Sequence, residues 1–126
     1  METSGEKKKV LIIEDETELL TILQIRLSHA QFEVFAASDG NSGLELAQSV
    51  KPDIILLDIM MPGIDGFTIL REIKGSDSTC EIPVIVVTAR DRIEDSCLLE
   101  GAEGFLTKPF DYRELENAIN RLVSAE

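Results

Sequence analysis

Cysteine, histidine and basic charge are scarce in this 126-residue chain, and each scarcity removes a class of function. The two cysteines, Cys80 and Cys97, form no CxxC pair, and the single histidine is His29. Neither a thiolate metal site nor a redox motif is supported, so both thiols are expected to be reduced bystanders. His29 falls at the end of a helical segment, a position that suits a cation near a helix C-terminus. Lysine and arginine number 12 against 24 aspartate and glutamate, a formal net charge of -12. Such a charge repels the phosphate backbone that a nucleic-acid binder must neutralise, so direct nucleic-acid binding by this domain is not expected. The run Lys7-Lys8-Lys9 reads as a solvated lead-in. Long apolar runs are missing too. Those lysines are followed by only four apolar residues before Glu14, too few for the apolar region of a signal peptide or for a membrane span. A cytoplasmic protein without membrane contact is expected.

What is present is an ordinary globular balance, with 44% hydrophobic and 29% charged residues. A chain of this length can bury roughly two-thirds of the surface its unfolded form exposes. One domain over residues 9–124 is expected, after a flexible tail over residues 1–8. Val10-Leu11-Ile12-Ile13, Ile54-Ile55-Leu56-Leu57 and Val84-Ile85-Val86-Val87 are uninterrupted apolar runs. Runs without polar alternation indicate strands buried on both faces, as in parallel sheets covered by helices. Phe32 to Ala36 and Gly104 to Thr107 read as two further strands.

Helical spacing fills the intervals. Leu20, Leu23 and Leu27 share one face of a helix over Thr17 to Ala30, and Leu115, Ala118, Ile119 and Leu122 share one over Asp111 to Ser124. Asn41 to Ser49 follows the cap-like Ser38-Asp39-Gly40 and is stopped by Pro52. Phe67 to Lys74 and Ile93 to Glu100 are shorter, the second closed by Gly101. Five repeats of strand then helix predict an α/β doubly wound domain, a five-stranded parallel sheet in the order 2-1-3-4-5 flanked by five helices.

The chemistry gathers where strands end. The first run leads into Glu14-Asp15-Glu16, the third strand into Asp58, the fourth into Thr88 and the fifth into Lys108. In the predicted order the first and third strands are adjacent at the topological switch point, where open α/β sheets bind ligands. Three crowded carboxylates must share a proton or bind a cation, and a hard divalent ion prefers such oxygen ligands. An edge carrying acids, a hydroxyl and an ammonium is expected to hold a divalent metal and a phosphoryl group.

Four segments in this order resemble the receiver domains of two-component response regulators. They are Glu14-Asp15, Leu57-Asp58-Ile59-Met60-Met61-Pro62-Gly63-Ile64-Asp65-Gly66, Val87-Thr88-Ala89, and Phe105-Leu106-Thr107-Lys108-Pro109-Phe110. The resemblance covers Lys9 to Val123 and implies that Asp58 is a phospho-acceptor. A phosphohistidine on a sensor histidine kinase or histidine phosphotransfer protein would supply the phosphoryl group. Mg²⁺ would be held directly by Asp15 and Asp58 and by the Met60 carbonyl, with Glu14 acting through water. Lys108 would pair with the phosphoryl group and the Thr88 hydroxyl would hydrogen-bond it.

The resemblance further implies that Thr88 and Phe105 form a switch, although an ordinary core aromatic is the competing reading of Phe105. Met60 and Arg90 would set the lifetime of the phosphorylated state, and Lys108-Pro109 matches a bond commonly held in cis. Output would pass to a downstream protein or effector domain through the fourth helix, fifth strand and fifth helix. Dimers of some relatives use an arginine near the position of Ala118, which is absent here, although Arg113 and Arg121 could make other pairs. Gly63 and Gly66 are expected to supply positive φ in the loop after Asp58. Glu16 is expected to be only an acid at a helix N-terminus.

Two other functions compete with a phospho-acceptor regulator that assists its own phosphorylation and dephosphorylation. A metal-dependent phosphatase passing through an aspartyl phosphate commonly needs a second carboxylate two residues after its nucleophile. Met60 stands there and cannot transfer a proton. A fold used only for binding would have lost the acids or the lysine, and all are present.

Overall fold

The computed structural model of the protein describes residues 7–61, 63, 65–89 and 92–123. Strands β1 (Lys9–Ile13), β2 (Glu33–Ala37), β3 (Ile54–Leu57), β4 (Val84–Thr88) and β5 (Gly104–Thr107) alternate with helices. The helices are α1 (Thr17–His29), α2 (Gly40–Val50), α3 (Gly66–Gly75), α4 (Glu94–Leu99) and α5 (Tyr112–Val123). All strand pairs are parallel, in the order β2-β1-β3-β4-β5, as the alternation predicts.

Side chains of alternate strand residues leave opposite faces of the sheet, which explains why the apolar runs are uninterrupted. Leu11, Ile13, Ile55, Leu57, Val84 and Val86 pack with Ala47 of α2, Ile69, Leu70 and Ile73 of α3, and Cys97 of α4. Val10, Ile12, Ile54, Leu56, Ile85 and Val87 pack on the other face with Leu23 and Leu27 of α1 and Leu115, Ala118 and Ile119 of α5. Each strand therefore serves two cores.

Local chemistry sets the helix boundaries. Asp39 caps α2 by accepting a hydrogen bond from the Ser42 N–H at 2.8 Å. Lys51, in the left-handed region at φ 55°, ends that helix just before Pro52. Asp111 lies outside α5: its side chain accepts from the Arg113 N–H, and Glu114 reaches back to the Asp111 N–H, the reciprocal pairing of a capping box. The fourth helix is shorter than its sequence signal, since Ile93 is its N-cap and Glu100 its C-cap. Residues 1–6 of the expected tail, together with Pro62, Ile64, Arg90 and Ser124, lie outside the described residues. Among the described residues no helix is long and apolar enough to cross a membrane.

Candidate functional site

Backbone hydrogen bonds continue the ladder past the strand ends and fix the residues that follow. The Glu14 N–H donates to the Ala37 carbonyl at 3.0 Å, the Asp58 N–H to the Ile13 carbonyl at 3.0 Å, and the Lys108 N–H to the Thr88 carbonyl at 2.7 Å. Each functional residue is thus held by the strand beside its own. Ile13 pairs in register with Leu57, and Thr88 with Thr107, so the segments after β1 and β3 emerge together, as do those around the ends of β4 and β5.

The acids meet as the strand order requires. One carboxylate oxygen from each of Glu14, Asp15 and Asp58 lies within 4.8 Å of the other two. Glu14 and Asp58 are only 3% and 5% exposed, and Asp15 is the most open of the three. Asp58 is held from two sides, with Oδ1 accepting the Met60 N–H at 2.8 Å and Oδ2 accepting Lys108 Nζ at 3.2 Å. Glu14 accepts the Glu16 N–H at 3.0 Å and pairs with Lys108 at 2.9 Å.

Burial pushes the Glu14 carboxyl up to about 7, against the Glu16 backbone hydrogen bond and Lys108, which pull it down; the charge of Asp58 adds to the rise. For Lys108, burial alone would lower the pKa. Hydrogen bonds to Glu16 and Glu14 and the charges of Asp58 and Glu14 outweigh it and hold the ammonium above the usual lysine range. The site therefore concentrates negative charge around one cation. Three carboxylates with no nitrogen or sulfur ligand suit a hard divalent ion.

Thr88 ends β4 fully buried. Phe105 is half-buried and packs against the core beneath α2, α3 and α4, so it is at least partly a core aromatic in this conformation. The Lys108-Pro109 bond is cis. An open groove of about 910 Å³ leads away from Asp58 and Lys108 past Leu19, Ile22 and Arg26 of α1 to Tyr112.

Two expectations need correction. Gly63 has positive φ, at 93°, but Gly66 does not: it is required because a Cβ there would lie 2.5 Å from the Cα of Ile59. The start of α3 presses onto the backbone just after Asp58. Glu16 is more than a helix-terminal acid. It occupies the N-cap position of α1 without a side-chain capping bond, and its carboxylate pairs with Lys108 at 2.8 Å. Sequence spacing could not find a partner 92 residues away.

The parallel 2-1-3-4-5 sheet brings the acidic cluster of Glu14, Asp15 and Asp58 to the switch point of a doubly wound fold. Residues 10–120 match the response regulator receiver domain, and the chain belongs to that family, the signalling receivers of two-component systems. It is 37% identical over 117 residues to the DNA-binding dual master transcriptional regulator RpaA of Synechocystis sp., covering 91% of this chain and 48% of that protein. It is 36% identical to the alkaline phosphatase synthesis transcriptional regulatory protein PhoP of Bacillus subtilis, covering 92% and 48%. The chain thus spans about half the length of these relatives.

Among solved structures, it superposes with TM-score 0.87 and 28% identity on the receiver domain of the sensor histidine kinase PA1611 from Pseudomonas aeruginosa. That match covers 95% of this chain and 100% of that one, and the PA1611 domain has a magnesium ion coordinated in its active site cleft. The chemotaxis protein CheY4 of Vibrio cholerae gives TM-score 0.86 at 28% identity, covering 93% and 99%.

Proposed function

We propose that Asp58 accepts a phosphoryl group from a phosphohistidine on a sensor histidine kinase or histidine phosphotransfer protein in the cytoplasm. The observation that carries this reading is the grip on Asp58. It is a buried carboxylate fixed by the Met60 N–H on one oxygen and Lys108 on the other, beside Glu14 and Asp15. In the transfer an Asp58 oxygen forms the new P–O bond as the P–N bond breaks, and the bonding electron pair returns to the imidazole nitrogen. Asp15 and Asp58, with the Met60 carbonyl, would hold Mg²⁺ directly and Glu14 would reach it through water. When bound, the cation neutralises charge on the phosphoryl oxygens. Lys108 contributes a further positive charge and Thr88 a hydroxyl.

Output runs through α4, β5 and α5 to a downstream protein or effector domain. Leu98 and Leu99 of α4 support protein contact there, since they are 44% and 87% exposed. Arg113 and Arg121 are exposed on α5, whereas Ala118 is buried in the core. Thr88 would move toward the phosphoryl group and half-buried Phe105 would fill the space behind it. The net charge of -12 opposes DNA contact by this domain. In a longer protein of the kind to which RpaA and PhoP belong, such contact would fall to another domain.

Acid-labile label from a phosphorylated kinase or acetyl phosphate is expected on the wild-type chain only with Mg²⁺, and on none of the Asp58→Asn variant. Stoichiometric acid-labile label on that variant would sink the assignment. Met60, exposed beside Asp58, cannot position or deprotonate an attacking water. Together with Arg90 it is proposed to prolong the phosphorylated state. Met60→Asn with Arg90→Glu should then speed loss of the phosphoryl group, and equal or slower hydrolysis would refute this.

A further inference from the structure

We infer that Glu16 is a positioning residue for phosphoryl transfer: its carboxylate occupies one hydrogen-bonding direction of the Lys108 ammonium until a phosphoryl oxygen replaces it. The inference rests on Asp58 being the phospho-acceptor. A lysine ammonium has three N–H donors and no more. Lys108 faces three carboxylates, Glu16 at 2.8 Å, Glu14 at 2.9 Å and Asp58 at 3.2 Å. An incoming phosphoryl oxygen can engage the ammonium only if one carboxylate yields.

Burial decides which one. Withdrawing the ammonium from Glu14 or Asp58 gives up a hydrogen bond at side chains only 3% and 5% exposed, where water has little room to replace it. The Glu16 side chain is 64% exposed, so water takes over its carboxylate at little cost.

The local backbone allows the exchange. Glu16 makes no side-chain capping bond to α1, and its main-chain carbonyl, not its carboxylate, accepts the Leu20 N–H at 2.9 Å. Its own N–H is anchored on Glu14 at 3.0 Å. The side chain can therefore swing away without unwinding the helix or loosening the loop. In the resting state Glu16 keeps Lys108 aimed at the site and neutralised. It also imposes a threshold, because an anionic donor must displace one anion to reach the cation.

The test compares Glu16→Gln with Glu18→Gln in the full chain. Glu18 is exposed in the first turn of the same helix, so its variant removes the same charge nearby without touching the pair. Two quantities are measured with saturating Mg²⁺: the initial rate of Asp58 labelling by acetyl phosphate, and the affinity for beryllofluoride. Glu16→Gln should raise both by roughly two- to fivefold, the scale of an exposed ion pair, while Glu18→Gln leaves both near the wild-type value. An unchanged or lower rate and affinity in Glu16→Gln overturns the inference. So does an equal rise in Glu18→Gln, which would mean diffuse charge repulsion. If the wild-type chain is labelled but Glu16→Gln behaves identically, only the role of Glu16 fails. If the wild-type chain takes no Asp58-dependent label, the phospho-acceptor reading fails and this one with it.

Discussion

At the amino end of the sheet, Lys74 donates to the Cys80 carbonyl at 3.2 Å, the Ile82 carbonyl at 2.8 Å and Glu103 at 2.7 Å. Glu103 uses its other oxygen on the Val84 N–H at 2.8 Å. At the carboxyl end, the Lys108 ammonium meets three carboxylates, those of Glu14, Glu16 and Asp58. Both lysines are mostly buried and each makes three contacts, yet the results are opposite. Around Lys74 one cation is matched by one anion and two neutral acceptors, which ties α3, the α3–β4 loop and the start of β5 together. Around Lys108 the anions outnumber the cation, and the excess leaves room for added positive charge. A polar cluster becomes a staple or a receptor according to whether its charges cancel without a ligand.

The sharpest way to break this comparison is Gly66→Ala. The new Cβ would collide with the Ile59 backbone and push the loop that carries the Met60 N–H away from Asp58. A loss of about 3 kcal/mol in urea unfolding is expected, with weaker Mg²⁺ binding by calorimetry. A fully stable variant with normal metal affinity would show that this contact does not shape the receptor end.

The second effect is a pH dependence of the metal-free protein. The Glu14 carboxyl titrates near its ordinary 4.5 when unfolded and at about 7 when folded. The folded state therefore favours the protonated form. Its stabilising contribution is complete below pH 4.5 and is lost as pH rises through 7, a change on the order of 3 kcal/mol. Glu14→Gln should flatten that decline, as should saturating Mg²⁺ in the wild-type chain. Urea midpoints taken every half pH unit would check this, and a wild-type stability that climbs from pH 5 to 7.5 would contradict the sign.

A somewhat smaller effect is expected at the other end. Lys74→Met removes the charge but keeps the apolar stem, leaving the Cys80 and Ile82 carbonyls and Glu103 without their donor. A stability loss of about 1.5–2 kcal/mol should follow, with unchanged Mg²⁺ affinity. Altered metal binding would mean that the staple and the receptor are coupled through the sheet.

Much of the receptor was legible because it is written at strand ends. Glu14, Asp15, Asp58, Thr88 and Lys108 each follow or close a recognisable strand, and a parallel sheet with crossovers has few ways to arrange five of them. Gly66 was legible as a glycine but not in its role, because close approach between backbones leaves no local signature whereas turn formation does. Phe105 fits both a switch and a core position in the sequence, because one aromatic inside a short strand suits either, and the fold half-buries it against the core beneath α2, α3 and α4. The staple of Lys74 and Glu103 carried no motif at all: isolated charges on a helix and in a loop look like any solvated pair.

Composition, apolar periodicity and the residues after each strand determined the fold class, the element order and the acids and lysine of the site, because burial on both faces and short-range caps act on neighbouring residues. Only the tertiary structure decided how those charges interact. The high pKa of Glu14 arises from burial beneath the assembled sheet edge. The capture of Glu16 by Lys108 joins residues 92 positions apart. Both depend on distances and desolvation that do not exist until five strands stand side by side.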